Sequence, residues 1–172
     1  MRRTLLVATA SAFLLCAPSF AQRENPRYEV GFRAGAGAYS YIDNSAYTRA
    51  VVGLEACAFC GGRYALFGAY SHFLAPGPPS RYKSADLLHT GLRIQGRRRV
   101  SPFFDVGIAA GYSRFLWGAG ATRSITTAGV GLGAGVAFRT AKGPYIRPQV
   151  RLSIMSEAYL AASAEIAIGW RF

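Results

Sequence analysis

A two-residue period recurs eight times along this chain, and it rules out a helical fold for nearly everything after residue 27. Over 28–39 the even positions are Tyr28, Val30, Phe32, Ala34, Ala36 and Ala38, and the odd ones are Glu29, Gly31, Arg33, Gly35, Gly37 and Tyr39. Successive side chains of a strand point to opposite sides, so this stretch predicts a strand with one apolar face and one face of charges and glycine. The split returns near 50–56 (Ala50, Val52, Leu54, Ala56 against Gly53, Glu55) and 65–73 (Ala65, Phe67, Ala69, Phe73 against Gly68, Tyr70, His72). It returns near 88–94 (Leu88, Thr90, Leu92, Ile94 against His89, Gly91, Arg93) and 104–112 (Phe104, Val106, Ile108, Ala110, Tyr112 against Asp105, Gly107, Gly111). Near 128–138 the apolar series Ala128 to Phe138 opposes Gly129, Gly131, Gly133 and Gly135. Near 146–154 Ile146, Pro148, Val150, Leu152 and Ile154 oppose Arg147, Gln149 and Arg151. The last repeat, 160–172, sets Leu160, Ala162, Ala164, Ile166, Ile168, Trp170 and Phe172 against Ser163, Glu165, Gly169 and Arg171.

The first residues follow another rule. Arg2 and Arg3 precede an apolar stretch, 5–17, and Ser19-Phe20-Ala21 offers small residues at −3 and −1 of a cut before Gln22. That is the layout of a secretory signal peptide, too short to span a bilayer comfortably. Residues 1–21 are therefore expected to be removed, leaving 22–172 as one domain. Cys16 follows Leu15, where lipid attachment wants a small residue, so a lipoprotein is disfavoured. The segment holds two arginines and no acid, so its loss lowers the net charge from +12 to +10. In an exported chain such a surplus points to anionic lipid head groups, with no nucleic acid expected. The remaining 151 residues allow about 19 per strand and connection, against roughly 9–11 for a tilted spanning strand. Connections 43–47, 75–85, 114–124 and 155–158 form one set, and the shorter 59–63, 96–99 and 140–143 the other; short turns are read as periplasmic.

Two barrels share this alternation. A soluble ligand carrier turns its apolar face inward, and a membrane barrel turns it outward. Here the other face is glycine with isolated charges of both signs, which suits the narrow interior of an eight-stranded barrel. The fold read from the sequence is an all-β, eight-stranded antiparallel up-and-down transmembrane β-barrel. Its interior charges are Glu29, Arg33, Glu55, Arg93, Asp105, Arg147, Arg151, Glu165 and Arg171. A buried charge without a partner costs several kcal/mol, so an internal salt-bridge network is expected, with a conducting pore as the competing reading. Tyr28, Trp170 and Phe172 are placed at one membrane interface, and Tyr39, Tyr41, Tyr112, Phe115 and Trp117 at the other.

The final strand, Ala164-Glu165-Ile166-Ala167-Ile168-Gly169-Trp170-Arg171-Phe172, together with Asp105-Val106-Gly107-Ile108-Ala109-Ala110-Gly111-Tyr112 and the 129–135 glycine alternation, resembles the small OmpA/OmpX-like outer-membrane barrels. The resemblance covers essentially all of 22–172. It implies a bacterial outer-membrane location. The 75–85 and 114–124 connections are both basic, so outer-membrane lipids, lipopolysaccharide or a surface polymer are the expected partners of a chain expected to be a monomer. The resemblance also implies that Gly169, Trp170 and Phe172 signal to the outer-membrane assembly machinery. Its motifs specify an architecture and leave activity open. A structural or envelope-interaction role, a narrow channel and a lipid-modifying enzyme all remain, as does the soluble periplasmic carrier.

Few residues invite chemistry. Cys57-Ala58-Phe59-Cys60 is a Cys-x-x-Cys without the strand-to-helix setting of a redox site and without further local ligands for a metal. In an oxidising compartment it reads as a structural disulfide closing a small turn. His72 and His89 flank the 75–85 connection, and pairing 72 with 89 places them side by side in the interior near Asp86. Ser71-His72 is the one adjacent nucleophile–base pair, and neighbours on a strand face opposite ways, which argues against catalysis. The 129–135 glycines lack the helix that a phosphate loop needs. Arg97-Arg98-Arg99 reads as a solvated basic turn. No catalytic set, cofactor site or metal site is read from the sequence.

Overall fold

A computed structural model describes residues 27–41, 48–75, 82–117, 121–140 and 143–172. The expected signal peptide and the 43–47 connection lie outside them. Eight strands follow one another: β1 (Tyr28–Tyr41), β2 (Arg49–Ala58), β3 (Tyr64–Phe73), β4 (Tyr82–Gln95), β5 (Val100–Trp117), β6 (Ala121–Arg139), β7 (Pro144–Met155) and β8 (Tyr159–Arg171). Each pairs antiparallel with the next, and β1 pairs with β8 over 13 positions, from Glu29–Arg171 to Tyr41–Tyr159, so the sheet closes into a barrel. Closure leaves no edge along the wall. At the seam the N–H groups of Arg27 and Tyr28 both donate to the Phe172 carbonyl at 3.0 Å. Both described chain ends therefore share one rim with the 59–63, 96–99 and 140–143 turns.

The two faces settle which barrel this is. Phe32, Leu54, Ile108, Val130, Ile166, Ile168 and Trp170 point outward and are each more than half exposed, while Arg33, Arg93 and Arg147 point inward and are 0–1% exposed. A continuous apolar exterior around a charged interior is the arrangement of a transmembrane barrel and the reverse of a soluble carrier.

Four expectations change. Strand β3 is turned over: Ala65, Phe67, Ala69, Ser71 and Phe73 face in, and Leu66, Gly68, Tyr70 and His72 face out. Both of its faces carry an aromatic ring and an aliphatic residue, so polarity alone does not orient it; the lumen claims Phe67 and Phe73 because large rings are needed there. The histidines do not meet. His72 pairs across the sheet with Asp86, His89 pairs with Ala69, and the two rings lie on opposite sides of the wall. Tyr39 is fully buried in the lumen instead of lying at the membrane interface. Finally, much of the expected 114–124 loop is strand: β5 runs on to Trp117 and β6 resumes at Ala121.

Candidate functional site

The interior is the most heavily built part of the molecule, and it has two layers. The layer near the termini is ionic. Glu29 on β1 is held by Arg171 (Nε to Oε1, 3.0 Å), Arg139 (Nε to Oε1, 3.3 Å) and Arg147. Arg147 also reaches Glu55 Oε1 at 2.6 Å, and the Tyr145 hydroxyl donates to the same oxygen at 3.0 Å. Arg151 Nη2 lies 3.8 Å from Glu55 and 3.1 Å from Asp105. Arg93 grips Asp105 with two parallel bonds, Nε to Oδ1 at 2.7 Å and Nη2 to Oδ2 at 2.8 Å. That fork-to-carboxylate geometry is specific to arginine. Arg33 pairs with Glu165 at 3.0 Å and donates to Ser71 Oγ at 2.7 Å.

Aromatic rings fill the gaps between these ions. Arg93 lies 4.6 Å from the Phe103 ring centroid and 5.5 Å from that of Phe67, Arg147 lies 4.5 Å from the Tyr145 centroid, and Arg151 lies 5.3 Å from Phe67. Flat guanidinium groups over ring faces gain electrostatic attraction while excluding water. This explains why β3 turns Phe67 inward.

The layer toward the loop end is mainly apolar, although the buried Arg49 lies two residues from Val51 on the same face of β2. Tyr39, Val51, Phe73, Ala85, Leu87, Ala109, Met155, Tyr159 and Ala161 pack into one cluster with Ile125 against it. The Tyr39 ring packs against Phe73 and Tyr159 at about 5.9 and 5.8 Å, and its hydroxyl is 2.7 Å from Thr127 Oγ1. Beneath this cap, His89 Nε2 bonds Ser153 Oγ at 2.6 Å. His89 occupies the room that glycine leaves: a Cβ on Gly131 would sit 2.5 Å from that nitrogen.

All nine charges expected in the interior lie there, together with Arg139, Gln95 and Tyr145, which the sequence reading did not include. Each of these three stands one residue beyond a strand end read from the pattern, so extending the alternation by one position finds them. Gln95 joins the network to the rim: it accepts from Arg139, and its Nε2 donates to the Cys60 carbonyl at 2.6 Å.

Cys57 and Cys60 are bonded to each other at this rim. Glu29 lies close enough to complete a three-ligand group with the two sulfurs, but its carboxylate already serves three arginines. The bonded sulfurs and committed carboxylate leave nothing to coordinate a metal as they stand. Closing so short a loop is worth about 2 kcal/mol at most. Cys57→Ala with Cys60→Ala is expected to leave the fold intact and lower the urea midpoint slightly; outright loss of the folded form would contradict that weight.

No protein-family model and no curated protein matches the chain. Solved structures do. Neisserial surface protein A superposes with a TM-score of 0.71 at 11% identity, covering 84% of this chain and 97% of the other. Ail, the attachment invasion locus protein of Yersinia pestis, gives 0.63 at 14%, covering 87% and 100%; it is also known in complex with the heparin analogue sucrose octasulfate. The N-terminal β-barrel domain of Pseudomonas aeruginosa OprF gives 0.61 at 12%, covering 86% and 99%. At these identities the likeness concerns the fold, and the chain has the fold of the small eight-stranded outer-membrane β-barrels.

Proposed function

We propose that this chain is a monomeric barrel of the bacterial outer membrane whose interior is structural filling and whose role is interaction at the loop end with anionic envelope or cell-surface polymers. What supports this is the packing inside the barrel: among the described residues an ionic layer and a mainly apolar cap lie in series along it. An ion would have to cross the cap, and the ionic layer opposes cations because six arginines there meet four carboxylates. No steady single-channel steps are expected from the purified protein in planar bilayers. Reproducible steps would return the channel reading.

Function then moves to the exposed end. Strands β5 and β6 have 18 and 19 residues, against 10–14 in the other strands, and β6 pairs with β7 only from Gly129 onward. The β5–β6 hairpin therefore rises beyond the end of β7, and it carries two exposed arginines, Arg123 on β6 and Arg114 on β5, the latter level with Ser84 of β4. Surface-borne segments on a rigid scaffold are the usual carriers of binding. A sulfated ligand on a barrel of this fold, as in the Ail complex, has the matching chemistry. Lipopolysaccharide is the corresponding partner in the outer leaflet, and Gly169, Trp170 and Phe172 on the closing strand address the assembly machinery. We assign no catalysis: Ser71 faces in and is engaged by Arg33, while His72 faces out.

Binding of a heparin-type sulfated polysaccharide to the barrel in nanodiscs tests this reading. Affinity should fall steeply with salt, and Arg114→Gln with Arg123→Gln should weaken it several-fold. No binding at low ionic strength would overturn the reading.

A further inference from the structure

The rim that holds both described chain ends carries four exposed arginines on two adjoining turns. Arg63 closes the turn between β2 and β3, and Arg97, Arg98 and Arg99 form most of the turn between β4 and β5. The turns touch: the Gln95 N–H donates to the Arg63 carbonyl at 2.9 Å. None of the four guanidinium groups pairs with a carboxylate among the described residues. The described acidic side chains lie elsewhere: Glu29, Glu55, Asp105 and Glu165 are buried in the lumen, and Asp86 and Glu157 stand toward the loop end.

These arginines border the lipid-facing wall. The Arg63 guanidinium carbon lies 5.9 Å from the ring centroid of Tyr64, which faces outward. Tyr64 lies opposite Ile94 on β4, and Ile94 opposite Phe104 on β5. Val100 directly follows Arg99, faces outward and lies opposite Phe138 on β6. Tyr64, Val100, Phe104 and Phe138 are 43–57% exposed, so the apolar belt begins one residue from each turn. Only residues 96–99 separate β4 from β5, and so short a connection keeps its guanidinium groups at the edge of that belt. Exposed rings at such a level mark the membrane interface. Long basic side chains lay their stems on apolar surface there and keep the charge among the headgroups. With the short turns on the periplasmic side, this leaflet is the one opposite lipopolysaccharide.

We propose that this arginine cluster docks the headgroups of anionic phospholipids, whose phosphodiester charge is not offset by a cation of their own. Two N–H donors of one guanidinium match two phosphate oxygens, a geometry that lysine lacks. The preference follows from what the cluster lacks. An ethanolamine or choline headgroup brings a cation, and no described carboxylate on this rim receives it. A glycerol headgroup brings none. The ring of exposed apolar residues beside the arginines selects a ligand with acyl chains over an acidic protein segment. Each basic residue close to an anionic membrane surface strengthens binding roughly fivefold. The proposal rests on the membrane-spanning reading and is independent of polymer binding, which concerns the opposite end of the barrel.

The test reconstitutes the barrel in phosphatidylcholine nanodiscs holding a minor fraction of either phosphatidylglycerol or phosphatidylethanolamine. Lipids retained after gentle release are counted by native mass spectrometry. Wild type should retain phosphatidylglycerol several-fold over both other lipids. Arg63→Gln combined with Arg97→Gln, Arg98→Gln and Arg99→Gln should abolish that excess, and Arg97→Gln with Arg98→Gln should remove part of it. Arg114→Gln with Arg123→Gln, at the other end, should leave most of it. A heat-dependent gel shift in every sample reports the folded barrel. Folded wild type without the excess would overturn the site alone. So would an excess undiminished in either rim variant that shows the shift, or one abolished by the loop-end pair. Wild type without the shift would overturn the membrane reading and the site with it.

Discussion

Glu29→Ala is expected to destabilise the barrel by about 3–5 kcal/mol, the cost of breaking a buried ionic group by removing one partner. Glu29 is fully buried and gathers Arg139, Arg147 and Arg171, so its loss leaves three guanidinium groups around an empty place. Arg147 retains Glu55, but Arg139 and Arg171 have no other carboxylate among the described residues. Urea unfolding in lipid vesicles, followed by the shift from folded to unfolded gel band, measures the effect. Glu29→Gln keeps the shape and one of the two acceptor oxygens, and should fall between wild type and Glu29→Ala. A midpoint for Glu29→Ala equal to that of wild type would mean that water, not the carboxylate, satisfies these arginines.

Gly91→Val is expected to abolish the folded band. Gly91 on β4 faces the lumen opposite Gly107 on β5. A Cβ there would lie 2.2 Å from the Val106 carbonyl oxygen and 2.5 Å from the Gly107 Cα. Both are backbone atoms of a hydrogen-bonded neighbour and cannot swing aside as a side chain can. Ordinary core overpacking costs about 1–3 kcal/mol, and a clash with a closed sheet belongs at or above the top of that range. Gly68→Ala is the matched control, because it faces outward and a Cβ there meets nothing within 4 Å. Equal yields of folded Gly91→Val and Gly68→Ala would show that the wall is far more pliable than its register implies.

These two predictions differ in how far the sequence carries them. Glu29 and Gly91 both sit on faces whose alternation is unambiguous, with Phe32 or Leu92 on one side and charge or glycine on the other. Strand β3 was misjudged because Phe67 and Phe73 have the same chemistry as lipid-facing residues. Only packing against Arg93, Arg151 and Tyr39 tells where they belong. The same ambiguity hid the apolar cap of the lumen, since a period of two separates the faces without saying that each is uniform from rim to rim.

By itself the sequence determined the number of strands, their antiparallel succession and nine of the charged residues of the interior, though not Arg139 or Arg49, because a wall with unlike faces must alternate its chemistry locally. The tertiary structure alone decided who meets whom. Register sets His72 against Asp86 instead of His89, and closure brings Glu29 of the first strand to Arg171 of the last and to Arg147 and Arg139 across the lumen. Such partners lie up to 142 positions apart, and their meeting depends on shear and curvature of the whole sheet. No local pattern encodes those quantities.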